Sequence, residues 1–296
     1  MPGSIVRVGF ACVTYDLGLT TNHNFRLCNL GPVKLQEAVS RNLDDLESIL
    51  EWMSDKELRL FRVGSSVVPF ASHRNLDFDW EPVCAGRLRE IGDRYSSQGF
   101  RFSMHPGQYN VLNSPSLDVL ERTVAELAYS CSVLDLMGLD GSHKVVIHGG
   151  GIYGDREKSL LRLEENIRRL PSSIKKRLVL ENDDRHFSFA EIARVSLATK
   201  IPAIYDHHHN QLKPSENISE LLRSAREVWN AVPEIHISSQ KPDARPGAHD
   251  FGIHEDDLKE LLDLLPFQVD LMVEAKGKEV AALAVMEMLK RIGGLA

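Results

Sequence analysis

The residues best suited to chemistry in this 296-residue chain are histidines and carboxylates, and many share one setting: each closes a short apolar run. His105 ends Phe-Ser-Met-His, His148 ends Val-Val-Ile-His and Glu181 ends Leu-Val-Leu-Glu. Asp206 ends Ala-Ile-Tyr-Asp with His209 three residues on, and Glu274 ends Leu-Met-Val-Glu. His236 lies within a further run, while His73 and His249 each follow one by a loop. Imidazole together with carboxylate suits Zn, Mn, Fe or Co. One such residue alone has an ordinary reading, a hydrogen-bonded histidine or a carboxylate near a helix end. Repetition at the ends of most runs points instead to a metal centre. Their number exceeds the roughly three to four protein ligands of one catalytic zinc, so two or three ions sharing bridging carboxylates fit better. Such clusters perform in-line phosphoryl displacement, activating water and steadying the leaving oxygen.

Glu234 stands two residues before His236, hence on the same face of a strand and about 6–7 Å deeper. It reads as a further bridging ligand, as the base that positions water, or as a surface residue just before the strand. In His207-His208-His209, the one-turn spacing from Asp206 selects His209 as ligand and leaves His207 and His208 as outer support or solvated groups. His23, His143, His186 and His254 lack a strand-end position and are expected at the surface.

Positioning such a centre requires elements whose ends converge. Apolar runs at 5–10, 58–63, 100–105, 144–148, 177–181, 203–206, 234–237 and 269–274 read as strands covered on both faces. Segments with helical spacing lie between them, among them the Leu43, Leu46, Leu50, Met53 stripe and a helix at 189–198 opened by a Ser188/Glu191 capping box. Eight strands alternating with helices predict a (β/α)8 TIM barrel formed as one domain over 1–296, with the C-terminal strand ends meeting around one mouth. An open doubly wound sheet is the alternative; Val8-Gly9-Phe10-Ala11-Cys12 carries no dinucleotide fingerprint.

Composition adds exclusions. Apolar residues at 43% and charged residues at 26% exclude a disordered or collagenous chain. Cys12, Cys28, Cys84 and Cys131 match no CxxC pattern and read as buried thiols in a reducing compartment. Neither a signal peptide nor a membrane span is expected, which favours the cytosol. The net charge of −7 taken alone ranks DNA binding low, because it advertises no basic field.

The motifs around these residues change that ranking. Phe61-Arg62-Val63-Gly64, Pro69-Phe70-Ala71-Ser72-His73, Ser103-Met104-His105-Pro106-Gly107-Gln108-Tyr109, Arg245-Pro246-Gly247-Ala248-His249 and Met272-Val273-Glu274-Ala275-Lys276-Gly277-Lys278-Glu279 run from end to end of the chain. Together they resemble the UV-damage endonuclease family, related in fold to endonuclease IV and to xylose-isomerase-like barrels. The resemblance implies nicking of duplex DNA immediately 5′ of ultraviolet photoproducts (cyclobutane dimers and 6-4 products) and often of abasic sites. It also implies a cluster of three divalent ions, usually Mn²⁺, with Zn²⁺, Co²⁺ or Mg²⁺ as alternatives. Its ligands map to His73, His105, His148, Glu181, Asp206, His209, His236, His249 and Glu274. Glu234, the candidate catalytic residue, stands where relatives have a lysine able to act as a carboxylate after modification; a native glutamate would supply that charge directly, with a different metal affinity or pH optimum.

Gln108 and Tyr109 match the pair that enters the base stack, and Phe10 stands where some relatives have a tyrosine facing the lesion. A planar amide and a ring can replace part of the stacking lost when damaged bases leave the helix. Arg74, Lys241, Arg245, Lys276 and Lys278 follow strands two, seven and eight and are expected on phosphates, whereas Lys175-Lys176-Arg177 precedes strand five and reads as a solvated patch. A monomer acting on lesion-bearing DNA at the nucleoid is the expectation. The alternatives are a metal-dependent sugar isomerase or epimerase on the same barrel, and a lesion-binding protein that uses its metals structurally.

Overall fold

A computed structural model describes residues 3–296. Eight parallel strands close on themselves in sequence order: β1 (Ile5–Ala11), β2 (Leu60–Val63), β3 (Arg101–Met104), β4 (Lys144–His148), β5 (Leu178–Glu181), β6 (Ala203–Asp206), β7 (Glu234–Ile237) and β8 (Val269–Val273). Among the described residues ten α-helices accompany them: α1 (Pro32–Asp55), α2 (Glu81–Ser96), α3 (Leu117–Leu136), α4 (Arg156–Arg169), α5 (Ser172–Lys175), α6 (Phe189–Thr199), α7 (His207–Leu212), α8 (Ile218–Arg226), α9 (Glu255–Leu264) and α10 (Lys278–Ile292). This is the (β/α)8 TIM barrel that the alternating pattern predicts. His105 and Glu274 fall one residue beyond β3 and β8, within the usual uncertainty of an element end. The capping box forms as read: the Ser188 amide donates to Glu191 Oε2 at 2.8 Å. Helices α2 and α4 were less visible because their apolar positions, Cys84, Leu88, Ile91 and Leu160, Leu163, Ile167, are thinly spread among charges.

Residues two apart on a strand share a face, and that period stacks the barrel interior in layers. At the floor, Asp270 accepts from Arg7 at 3.1 Å and from Arg101 at 2.7 Å, and Trp229 closes the centre beneath the Arg101 guanidinium. Above lie apolar residues in two groups, Val146, Val179 and Ile204 packed on Trp229 at one side, Ala11, Leu60 and Met272 at the other. One step higher on the same strands stand His148, Glu181, Asp206, Arg62 and Glu274. Gly9 permits the closeness of β1 to β2, since a Cβ there would lie 1.5 Å from the Leu60 carbonyl oxygen.

Two surface expectations are corrected. Arg177 is fully buried rather than part of a solvated patch: it donates to the carbonyls of Leu139, Asp140 and His143 and pairs with Asp135. His143 is also buried; its Nδ1 accepts from the Phe102 amide at 2.9 Å, and burial, helped by Arg101 and Arg177, pushes its pKa down to about 4. Both residues tie the α3–β4 connection to the base of the barrel. Arg177→Ala should therefore strand several buried carbonyls and lower the unfolding free energy by about 3 kcal/mol, read from urea denaturation. An unchanged midpoint would show that these bonds contribute nothing.

Candidate metal centre and its surroundings

Glu181, with 1% of its surface exposed, is the residue around which the mouth is arranged. Its Oε2 faces His105 Nε2 at 3.0 Å and His148 Nε2 at 3.9 Å. Its Oε1 faces His236 Nδ1 at 2.9 Å, with His209 Nδ1 at 3.7 Å. Two groups of mutually close ligand atoms result, His105–His148–Glu181 and Glu181–Asp206–His236, and they share this one carboxylate.

The histidine tautomers follow from the partners. His105 Nδ1 lies 2.9 Å from the Pro106 carbonyl, His209 Nδ1 2.9 Å from that of Asn182, and His249 Nδ1 2.6 Å from that of Glu274. A carbonyl only accepts, so each Nδ1 carries the proton and donates, which leaves Nε2 of a neutral ring as a lone pair. At His105 that lone pair meets a carboxylate oxygen at 3.0 Å. Two acceptors at that distance require a proton or a cation with them. Donating the far ring nitrogen to a backbone carbonyl is also how metal-bound histidines are oriented. Buried atoms without partners add to the demand: Asp206 Oδ2 and His148 Nδ1 face no donor or acceptor. The donor set, nitrogen and oxygen without sulfur, fits a divalent ion such as Mn²⁺ or Zn²⁺.

Without an ion, protons take up the charge. Burial works against a charged His236, but Glu181 and Glu274 overcome it and push its pKa up to about 10, with Arg62 opposing. His209 is likewise raised to about 9, against burial, by Asp206, Glu181 and Glu274. Burial disfavours the charge of Glu181, yet His236, His148 and His105 hold its carboxyl well below the ordinary range.

Two residues at the centre carry roles that the strand-end pattern did not reveal. Arg62 donates to Glu274 and places Nη2 2.8 Å from His236 Nε2 and 3.7 Å from Glu234. Its signal was present as a charge inside the apolar run Leu-Phe-Arg-Val. Asn182 is fully buried; its side chain exchanges two hydrogen bonds with the Asp206 backbone, at 2.9 and 3.1 Å, locking β5 to β6 beneath His209. Glu234 lies one layer below the mouth, fully buried, 3.2 Å from His236 Nε2 and 3.3 Å from the Ser103 hydroxyl.

The other sequence-derived residues divide clearly. His249 stands at the rim, its ring 6.4 Å from that of His209, in an open cavity of about 340 Å³ with Glu274, Arg245, Lys276 and Lys278. His73 joins neither ligand group. It lines a separate groove of about 830 Å³ with Arg74 and Tyr109 and accepts from the Asn75 amide at Nδ1. Gln108 and Tyr109 project from the loop after β3, Tyr109 with 79% of its surface exposed. Lys241 is exposed on the loop after β7, and Arg74 is exposed but paired with Asp118 at 3.2 Å. Phe10 is the correction. Strand alternation turns it outward into the core against Trp52 and Phe61, fully buried, so it offers no ring face to DNA. His207 and His208 are buried behind the mouth, not solvated; His207 packs against Tyr205.

The family model described as UV-endonuclease UvdE matches residues 7–296. The UV DNA damage endonuclease of Clostridium perfringens is 32% identical over 97% of this chain and 71% of its own. A crystal structure of SacUVDE superposes with a TM-score of 0.93 at 37% identity, covering 98% of this chain and all of that one. Endonuclease IV from Thermus thermophilus, at 18% identity and a TM-score of 0.57 over 82% of this chain and 92% of its own, shares the fold.

The raised histidines give the ion-free centre a testable pH dependence. Groups whose folded pKa exceeds the unfolded value of about 6.5 stabilise fully below that pH and lose the contribution as pH climbs through the folded pKa. In chelator, stability should thus decline from pH 6.5 towards 9 and 10 as His209 and then His236 lose their protons. Urea midpoints at pH 6.5, 8 and 9.5 check this, and a flat profile would contradict the assigned charges.

Proposed function

The chain belongs to the UV-endonuclease UvdE family, and from that premise we propose that it nicks duplex DNA immediately 5′ of ultraviolet photoproducts, and at abasic sites. The proposed scope includes cyclobutane dimers and 6-4 products, with the whole chain acting as one monomeric domain at the nucleoid. The observation that carries the reading is Glu181, a buried carboxylate held against four histidines from four different segments at one open mouth.

The residues fit a divalent cluster, proposed as three Mn²⁺. His105, His148, Glu181, Asp206, His209, His236 and Glu274 would hold it, with His73 and His249 completing the set towards the substrate side. When bound, such ions supply a nucleophilic hydroxide near neutral pH and neutralise charge on the phosphate and leaving oxygen. The protein's own part is positional. Backbone carbonyls fix the rings of His105, His209 and His249, and Asn182 fixes the β5–β6 register below Asp206. Glu234 cannot reach the mouth itself, so its proposed role is to set the orientation and basicity of His236 through Nε2 rather than to act as the base. Arg62 plays the matching part for Glu274.

Tyr109 and Gln108, exposed beside the mouth, are suited to replace stacking where damaged bases leave the helix. Arg245, Lys276 and Lys278, around the Glu274 opening, are placed to meet phosphates, with Lys241 and Arg74 further along the loops. No helix among the described residues is long and apolar enough to cross a membrane.

The test is conversion of irradiated supercoiled plasmid to the nicked form with Mn²⁺. Wild type should nick irradiated DNA and spare unirradiated DNA, and chelator should abolish the reaction. Glu181→Gln should lower the rate by at least about 100-fold while leaving DNA retention intact, in keeping with the loss of a metal ligand or its support. Tyr109→Ala should raise KM most on the lesions that distort the helix least. Absence of lesion-dependent nicking would overturn the reading.

A further inference from the structure

A second aromatic feature stands on the rim, away from Tyr109. Tyr15, on the loop after β1, and Phe251, on the loop after β7, are 59% and 43% exposed, yet their rings touch, with centroids 4.9 Å apart and planes at 84°. Exposed apolar rings ordinarily lie scattered. These two are held in place by buried chemistry. Glu279, 2% exposed at the start of α10, accepts the backbone amides of Tyr15 at 2.6 Å and Asp16 at 2.7 Å. Gly277 donates to the Phe251 carbonyl at 2.8 Å, and a Cβ at Gly277 would strike the Phe251 ring at 2.9 Å. A buried carboxylate and a glycine thus fix two aromatic rings in the open, which packing of the core does not require.

Two perpendicular rings make a corner that a flat group can enter, stacking on one face while its edge meets the other. The Phe251 ring lies against Gly277, which Lys276 and Lys278 flank, and both lysines, like His249 two residues before Phe251, line the opening over Glu274. Rigid aromatic faces beside cations match a nucleobase with its phosphate. We infer that the Tyr15–Phe251 corner is a second nucleobase subsite, which receives one base displaced from the duplex while Tyr109 serves another position. This rests on the nuclease reading above and adds a second strand contact to it, separated from Tyr109 along the rim by the loop that follows β2.

The experiment uses full-length protein, Mn²⁺ and irradiated duplexes carrying 2-aminopurine in turn at each base around the lesion on both strands. One probe position should be quenched by wild type and by Tyr109→Ala, but not by the Tyr15→Ala/Phe251→Ala double variant. That variant should also raise KM for nicking about ten-fold, with kcat within two-fold and an unchanged salt slope, since no phosphate contact is lost. Tyr15→Phe, which keeps the ring, should restore wild-type behaviour. Wild-type KM and quenching in the double variant would overturn the subsite while leaving the nuclease reading standing. A raised KM that Tyr15→Phe shares, with quenching retained at every position, would also overturn it. Failure of wild type to nick irradiated duplex at all would sink both readings together.

Discussion

One buried carboxylate sets the terms for the rest of the molecule. Glu181 has no solvent to carry its charge, and the groups that meet it are ring nitrogens from β4, α7, β7 and the loop after β3. An isolated charge at such a site is unfavourable by several kcal/mol unless opposite charge accompanies it. The closed barrel is the means of bringing that company together, because eight parallel strands deliver their C-terminal ends to one ring. The floor and the apolar layer hold the ring at fixed diameter.

Orientation is settled by the backbone to an unusual degree. Three histidines are turned by main-chain carbonyls, and the carboxylate end of β6 is gripped by Asn182 through main-chain atoms. Side-chain substitutions around the mouth therefore have limited power to misdirect these rings, whereas loop shifts have a great deal. Arg62 and Glu234 form the exception, a side-chain pair that meets His236 from the side and from below, with Arg62 also holding Glu274.

Much of this was legible beforehand because the same period that makes a strand also aims its residues. Once Val-Val-Ile-His and Leu-Val-Leu-Glu are read as parallel strands, His148 and Glu181 must be neighbours, and the register pairs them directly. The rule failed where its parity was not applied. Phe10 lies one residue off the inward face of β1 and so points into the helical layer. Arg62 was hidden by the opposite bias, a charge inside an apolar run where an aliphatic residue was expected. His143 and Arg177 look hydrophilic in sequence, and only tertiary packing reveals that carbonyls and a backbone amide satisfy them indoors. His73 shows another limit: a loop residue has no period to aim it, and here it faces the groove beside Tyr109. The net charge of −7 is a poor guide for a similar reason, since it counts the carboxylates of the candidate metal centre, whose charge a cation would offset.

The charged floor of Arg7, Arg101 and Asp270, sealed by Trp229, makes the barrel a cup rather than a tube. Whatever reaches the Glu181 layer must therefore enter by the C-terminal mouth, from the side on which the loops stand.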